Sequence, residues 1–408
     1  MNKWKYEKLS ELCSKIGDGL HGTPEYDDSD IYFINGNNLK NGKIEFTENT
    51  KTVSTEELSN FIELNNNSLL LSINGTLGSM AFYNGEKVIL GKSAAYLNFN
   101  SNINKFYYYY FQLNSVQLHF YNVATGSTIK NLSLKSIQDF EVPFPTSNEW
   151  KKIVAVLSAL DSKIELNNKI NTELESMAKT LYDYWFVQFD FPDKDGNPYK
   201  TSGGKMVWND ELKREIPGGW EVKNLGDITS ISNESINPMN SPNTNFKHYS
   251  IPTFDELGTY KVEKGEDIKS NKFTVEDTDV LVSKLNPHFS RVIYSTHDDN
   301  LICSTEFVVW RTSNIEIKNY MYMIARDYSF ITFCTKSSAG TSNSHKRVNP
   351  TVMMKYKVAY QQRIAERFGS ILGSTIKMYA KNQIENKTLS ELRDWLLPML
   401  MNGQVRVE

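Results

Sequence analysis

The chain has 408 residues, 39% apolar and 12% aromatic, with 45 Lys and Arg against 48 Asp and Glu for a formal charge of −3. That length implies two or three domains, and the apolar content supports buried cores and excludes wholesale disorder. The charge balance excludes a histone-like basic protein, so any contact with nucleic acid must rest on local patches and hydrogen-bonding side chains.

No run reaches the roughly 18 apolar residues of a membrane span, and the opening MNKWKYEKLSELC lacks the apolar stretch of a secretory signal. Cys13, Cys303 and Cys334 lie too far apart for a metal knuckle and are odd in number for a disulfide framework. A reducing, cytoplasmic setting is expected. Asn occurs 41 times and Arg is absent before Arg214, the composition of an AT-rich coding sequence.

In chain order, the first 148 residues alternate short strand patterns (IYFINGNNLKNGKI, NSLLLSINGTLGSMAFYNGEKVIL, AAYLNF) with turns, then predict a helix over 103–121. In that helix Tyr107 to Tyr110 and Phe111 read as core packed on the sheet. Pro143 and Pro145 mark a strand-to-helix break. From Ile153, apolar or seam positions step by four and three through Leu157, Leu160, Ile164, Asn167, Asn171, Leu174, Ala178, Leu181 and Trp185. A stretch dense in Pro, Gly and Asp follows at 188–218 and reads as a linker.

The pattern then repeats. WKYEKL at 4–9 returns as WEVKNL at 220–225, LLLS ending at Ser72 as VLVS ending at Ser283, and the segment from Gly126 as the segment from Gly340. A helix over 317–333 matches that of the first half. A second heptad run, Ile364, Phe368, Ile371, Thr375, Met378, Asn382, Glu385, Leu389, Leu392 and Leu396, keeps the phase of the first. The expected class is α+β. It comprises globules at 1–148 and 219–359, each followed by a long helix (149–187; 360–408 with the tail), the helices packing as an antiparallel coiled-coil-like pair about 50 Å long. Asn171 and Asn382 occupy equivalent mid-helix seam positions. A two-fold pseudo-axis there would bring them together as a register lock; the alternative is that both face solvent.

Motifs of catalysis are near misses. GEKVILGKS at 85–93 has five residues where a phosphate-binding loop needs four. Asn286-Pro287-His288-Phe289 and Asn197-Pro198-Tyr199 lack the second proline of an amino-methylating motif, and no glycine-rich turn for S-adenosylmethionine precedes either. The six histidines form no metal-binding pair, there is no GxSxG elbow, and acids such as Asp161 and Glu173 read as a solvated helix face.

GDGLHGTPEY with INGNNLKNGKI, the spacer PYKTSGGKMVWND with IPGGWEVKNLGDI, the two heptad helices and the closing LSELRDWLLPMLMNGQVRV together resemble the specificity subunits of type I restriction–modification enzymes, over essentially the whole chain. The resemblance implies two target-recognition domains, each reading half of a bipartite site on double-stranded DNA, with the helices as a ruler for the unread spacer. It also implies two modification subunits, which carry S-adenosylmethionine and methylate adenine, and restriction motor–nuclease subunits. The chain itself would be non-catalytic, with no cofactor or metal of its own. A second reading is a scaffold or regulatory relative that keeps the fold without a working modification partner; an enzyme is a third.

On this reading, base and phosphate contacts fall to polar residues in Gly-rich turns. In the first globule these are His21, Thr23, Asn37, Asn38, Lys40, Asn74, Thr76, Ser127, Thr128 and Lys130. In the second they are Asn286, His288, Arg291, Ser342, Ser344, His345, Lys346 and Arg347. Ordinary turn chemistry accounts equally for any one of them. Val156, Leu166, Ile170, Met177, Leu372, Ile376 and Leu397 are candidate docking positions for the modification subunits, the alternative being packing on the chain's own globules. Residues 1–148 hold 12 Lys, no Arg and 15 acids, whereas 219–358 hold 16 basic and 16 acidic groups. Reading without Arg–guanine forks in the first half, and weak DNA binding by the lone chain, are expected.

Overall fold

The computed structural model describes residues 4–54, 56, 62–144, 148–340 and 345–407. Contacts divide the chain into two units, Met1–Ser162 with Ser390–Glu408, and Lys163–Leu389.

In the first unit the apolar run Ser68–Ser72 is buried throughout, as an inner strand must be. It lies within an antiparallel sheet ordered Cys13–Asp18, Ala94–Phe99, Ser68–Ser72, Met80–Phe82. Tyr32–Ile34 pairs in parallel with Val88–Leu90 beside it. The aromatic run is core: Phe106, Tyr107 and Phe111 are fully buried, and Tyr107 stacks on Phe99 at 4.9 Å. The single helix expected over 103–121 is two, Asn104–Phe111 and Asn114–Val123, because Leu113 takes extended dihedrals (φ −58°, ψ 132°) between them.

The second unit repeats this plan. Its sheet runs Ser230–Ser232, Phe307–Arg311, Asp279–Ser283, Val292–Tyr294 in the same spatial order. The parallel pair returns as Asn245–Tyr249 with Leu301–Cys303, enlarged here into a five-stranded sheet. The helix expected over 317–333 is again two, Ile315–Arg326 and Tyr328–Lys336. The break falls at Asp327, whose carboxylate accepts from the Ser329 and Phe330 amides and caps the second helix.

In both units the entering and leaving segments pair as four-residue antiparallel strands. Lys5–Lys8 meets Glu141–Phe144, and Glu221–Asn224 meets Lys357–Tyr360. Lys5 faces Phe144 and Glu221 faces Tyr360, so both partners advance by 216 (221 − 5, 360 − 144). Pro143 therefore lies inside a strand, opposite Tyr6, rather than after it; a two-stranded ribbon tolerates its missing donor at an edge. Pro145 lies outside the described residues.

The stretch 188–218 is not a bare linker. Phe189, Phe191 and Ile216 are buried in the core of the second unit, Phe191 stacks on Tyr199 at 4.7 Å, and Met206–Asn209 pairs with Arg214–Pro217. Buried Asp190 accepts from the Thr201 amide at 2.8 Å and hydroxyl at 2.7 Å. The turn residues set the path, while the few aromatics between them supply the burial.

The long helices are Glu149–Tyr182, continued by a π-turn at Asp183–Val187, and Gln362–Met401. Within the second unit they run antiparallel along a polar seam. Asn382 Nδ2 donates to Asn171 Oδ1 at 2.9 Å, and Asn167 Nδ2 donates to Glu385 and Asn386, both at 2.9 Å. Asn167, Asn171 and Asn382 are all buried. On the first helix the expected seam residues Ile153, Leu157, Ala178 and Trp185 are buried. On the second, Ile371, Met378 and Leu392 are exposed instead, and the buried face runs Phe368, Leu372, Ile376, Ala380.

The cause of that shift is a second neighbour. Gly369 sits so close to the helix Ile315–Arg326 that an added Cβ would lie 1.9 Å from the Glu316 carbonyl oxygen, and Asn319 Nδ2 donates to Gly369 O at 2.8 Å. Two packing partners widen the apolar face beyond a coiled-coil stripe. Asp161, read as solvated, accepts from the Tyr109 hydroxyl at 2.6 Å and Arg393 at 2.8 Å within the first unit.

Lys318 is an unexpected core residue, 1% exposed, with Nζ donating to Ser295 Oγ at 3.0 Å and lying 3.5 Å from the centre of the Tyr294 ring. Burial pushes its amine down to about 7. The unfolded chain therefore holds one more proton than the fold between about pH 7 and the ordinary lysine range near 10.4, so this group makes stability rise with pH across that window. Below it both states are protonated and the dependence vanishes. Urea midpoints measured from pH 7 to 10 should rise less steeply in Lys318→Met than in the wild type.

A second test concerns the asparagine seam. Asn382→Leu alone strands the Asn171 amide in a buried site and should destabilise the fold by about 1–3 kcal/mol. Asn171→Leu with Asn382→Leu should restore or exceed wild-type stability. Urea denaturation of the two variants measures both.

Candidate nucleic-acid interface

A continuous chain of hydrogen bonds assembles the Gly-rich turns of the first globule into one rim. Leu20 N donates to Leu90 O and Lys92 N to Leu20 O, which pins the segment carrying His21. Ser93 Oγ then accepts from Gly36 N and donates to Asn35 Oδ1, both at 2.9 Å. The Thr76 hydroxyl donates to Gly36 O at 2.8 Å, and Asn74 Nδ2 donates to Asn131 Oδ1 at 3.4 Å. Thr125 and Asn131 exchange both backbone bonds, at 3.0 and 2.7 Å, and close the loop that bears Ser127, Thr128 and Lys130. Gly126, at φ +102°, is required there, since a Cβ would lie 2.2 Å from the Ile129 carbonyl oxygen.

The second globule builds its rim with the same bridges. Leu285 and Ala339 each pair with Arg347, as Asn74 and Thr125 pair with Asn131. Val348 N donates to Lys284 O at 3.0 Å where Leu132 N donates to Ile73 O at 2.9 Å. Gly340 again faces backbone, 2.7 Å from the His345 carbonyl oxygen to an added Cβ. The match of Gly126 with Gly340 thus reflects one loop built twice.

The predicted readers divide on this frame. His21, Asn37, Thr76, Ser127 and Thr128 are exposed on the first rim, and Asn74 and Lys130 are half-buried there. His21 Nε2 lies 2.9 Å from the Asp18 carboxylate, and Lys130 Nζ lies 4.9 Å from the centre of the Tyr121 ring. Thr23 is exposed just after His21. Lys40 lies on the short ribbon Leu39–Lys40 with Lys43–Ile44, paired with Glu45 at 3.0 Å. Asn38 is not a reader. It is buried, bonded to Asn35 N and Glu45 O at 2.9 Å and to Thr50 Oγ1 at 3.2 Å, and holds its turn shut.

Asn286 in the second globule is likewise structural. It is buried, and its Oδ1 accepts from Lys346 N at 3.0 Å while its own amide donates to Lys346 O at 2.7 Å. Arg291 is committed as a fork to Asp255, at 2.6 and 2.7 Å, and its guanidinium lies over Phe289 at 4.5 Å. Arg347 is exposed but paired with Glu306 at 2.9 and 3.3 Å. His288 and His345 are exposed and Lys346 half-buried; Ser342 and Ser344 lie outside the described residues. Asn131 and Ile129, which sequence reasoning passed over, share the first rim and were hinted at only by Gly126; Phe289, noted in the sequence only within a near-miss methylation motif, lies on the second.

Of the docking candidates, Leu166 and Met177 are exposed, at 52% and 64%, and Val156 and Ile170 are half-buried. Leu372, Ile376 and Leu397 are buried core and cannot meet a partner. The displaced seam leaves Ile371 and Met378 outward instead. Among the described residues, no group of three His, Cys, Asp or Glu side chains is placed to hold a metal ion, and no helix is long and apolar enough to cross a membrane.

Comparison with known proteins fits this duplicated architecture. The family described as type I restriction modification DNA specificity domain matches residues 1–176 and again 217–386. The MjaIX specificity subunit of a type I restriction enzyme from Methanocaldococcus jannaschii is 25% identical over 99% of this chain and 94% of its own length. The HindI specificity subunit from Haemophilus influenzae is 24% identical over 69% of this chain and 72% of its own. A crystal structure of a type I restriction–modification S subunit from M. genitalium shares the fold, with a TM-score of 0.62 at 16% identity over 98% of this chain and 97% of that one.

The structural role of Asn38 is directly testable. Asn38→Ala leaves the Asn35 amide and Glu45 carbonyl without their partner, and should lower stability by about 1–3 kcal/mol in urea denaturation. Asn37→Ala, one residue away and exposed, should stay within about 0.5 kcal/mol of the wild type.

Proposed function

Because the chain belongs to the type I restriction–modification DNA specificity family, we propose that it reads a bipartite site on double-stranded DNA, one half with each globule. The observation that carries this reading is the repetition of one rim, closed by equivalent bridges to Asn131 and Arg347, on two globules of the same sheet order. Two like readers on one chain are what a split site requires. The antiparallel helix pair, registered through Asn171 and Asn382, sets the length of the unread spacer.

The chain performs no chemistry of its own. It scaffolds two modification subunits, which bring S-adenosylmethionine and methylate adenine, and restriction motor–nuclease subunits join them. Outward apolar side chains on the long helices, Leu166, Met177, Ile371 and Met378, supply docking points, with Val156 and Ile170 beside them. Side chains on the rims give discrimination: Asn37, Thr76, Ser127 and Thr128 in the first globule without any arginine, and His288, His345 and Lys346 in the second. The Arg347–Glu306 and Arg291–Asp255 pairs mute the positive potential of the second rim, so the lone chain binds DNA weakly.

Co-expression with a modification subunit encoded at the same locus, followed by single-molecule sequencing for methylated adenine, tests the reading. A bipartite motif with a fixed spacer is expected, and exchanging the residues of one globule for those of a relative should change one half alone. A contiguous motif, or a stable complex that methylates nothing, would overturn it.

A further inference from the structure

One turn differs between the two rims in a way that points outward. Ser72 N donates to Ser79 O at 2.8 Å, and Ser283 N donates to Arg291 O at 3.0 Å, so the same bond closes the same turn in each globule. The turn in the second globule is one residue longer, 284–290 against 73–78. In the first globule its two left-handed positions are glycines, Gly75 at φ +78° and Gly78 at φ +85°. In the second they are Asn286 at +47° and Ser290 at +51°, a conformation side chains seldom adopt.

What the longer turn carries is Pro287-His288-Phe289. Phe289 is 58% exposed, unlike the half-buried Leu77 of the shorter turn. Its ring is braced from within: the Arg291 guanidinium lies over it at 4.5 Å, itself forked onto Asp255, and the His288 ring centre is 4.2 Å away. Asn286 fastens the base of the turn to the Lys346 backbone by two bonds. Phe289 is therefore a rigid apolar tip on a polar rim, beside the loop that carries Lys346 and Arg347.

We propose that Phe289 is a specificity-determining residue of the second globule, contacting the C5-methyl group of a thymine in the major groove of its half-site. This rests on the DNA-reading function above. The Arg291 guanidinium covers one face of the ring and His288 leans against it at 40°, so the exposed remainder is a fixed apolar contact that DNA can meet. The apolar feature that a base pair shows in the major groove is the thymine methyl. Preorganisation by Asn286 and Arg291 spares the ordering entropy that a loose aromatic side chain would lose on contact.

The test uses the full chain in complex with its modification subunits, and duplexes in which each thymine of the mapped site is replaced in turn by uracil. At one thymine of one half-site, the wild-type complex should lose about fivefold or more in affinity. Phe289→Ala should show that loss on ordinary DNA and be indifferent to uracil at that position; Phe289→Leu should keep part of the discrimination. Unchanged melting of both variants separates the effect from misfolding, since the residue is exposed. Independent, additive losses from uracil and from Phe289→Ala at every thymine, or wild-type affinity in Phe289→Ala, would overturn the proposal while leaving the bipartite reading intact. A wild-type complex with no sequence preference would overturn both.

Discussion

The rest of each globule depends on the antiparallel strand pair that joins its first residues to its last. Lys5–Lys8 on Glu141–Phe144, and Glu221–Asn224 on Lys357–Tyr360, bring together segments more than a hundred residues apart. Closing so long a loop is entropically expensive once, but lengthening it adds little, because the closure term grows only with the logarithm of length. The closed segment is equally long in both globules, since both partners advance by 216, so the second globule expands the small sheet to five strands and lengthens both rim segments at no added closure cost and with the closing register unchanged. The leaving strand then hands the chain directly to a long helix in both halves.

The helix pair shows how a polar seam can be more informative than an apolar one. Leu side chains packed along the middle of two long helices would tolerate sliding by a turn. The Asn171–Asn382 bond and the Asn167 contacts to Glu385 and Asn386 would be lost by any such slip, leaving buried amides unpaired. Both asparagines stand at equivalent positions of two heptad runs, and so were visible in the sequence. The true apolar face of the second helix was not. Its shift to Leu372, Ile376 and Ala380 is imposed by the close approach at Gly369, a tertiary constraint that a seven-residue period does not encode.

Duplication was readable from Trp-x4-Leu, from the serine-ended strands and from Gly126 with Gly340, because each marks backbone geometry that both copies share. Individual site residues were harder. Asn37 and Asn38 are neighbours of identical chemistry, yet one is exposed and the other is locked inside its turn. Composition treats them alike; only the three-residue turn decides which faces outward. The same holds for Asn286 and Arg291, whose polar groups are taken by Lys346 and Asp255. The aromatic core of 188–218 was hidden by the turn residues that surround it.

That division of labour bears on how recognition can change without loss of fold. The bridges that assemble both rims are predominantly backbone to backbone: Thr125 with Asn131, Ala339 with Arg347, and Leu132 or Val348 back to the strand end. Such bonds do not depend on which side chain occupies the position. Asn131 and Arg347 hold corresponding places with different charge, and the loops they close differ in length by two residues, 125–131 against 339–347. The constrained positions are chiefly the glycines that face backbone and the side chains that hold the turns, Asn38, Ser93 and Asn286 among them. The remaining side chains stand on a frame that neither requires nor resists them, so substitutions there alter what the rim contacts at little expense to stability.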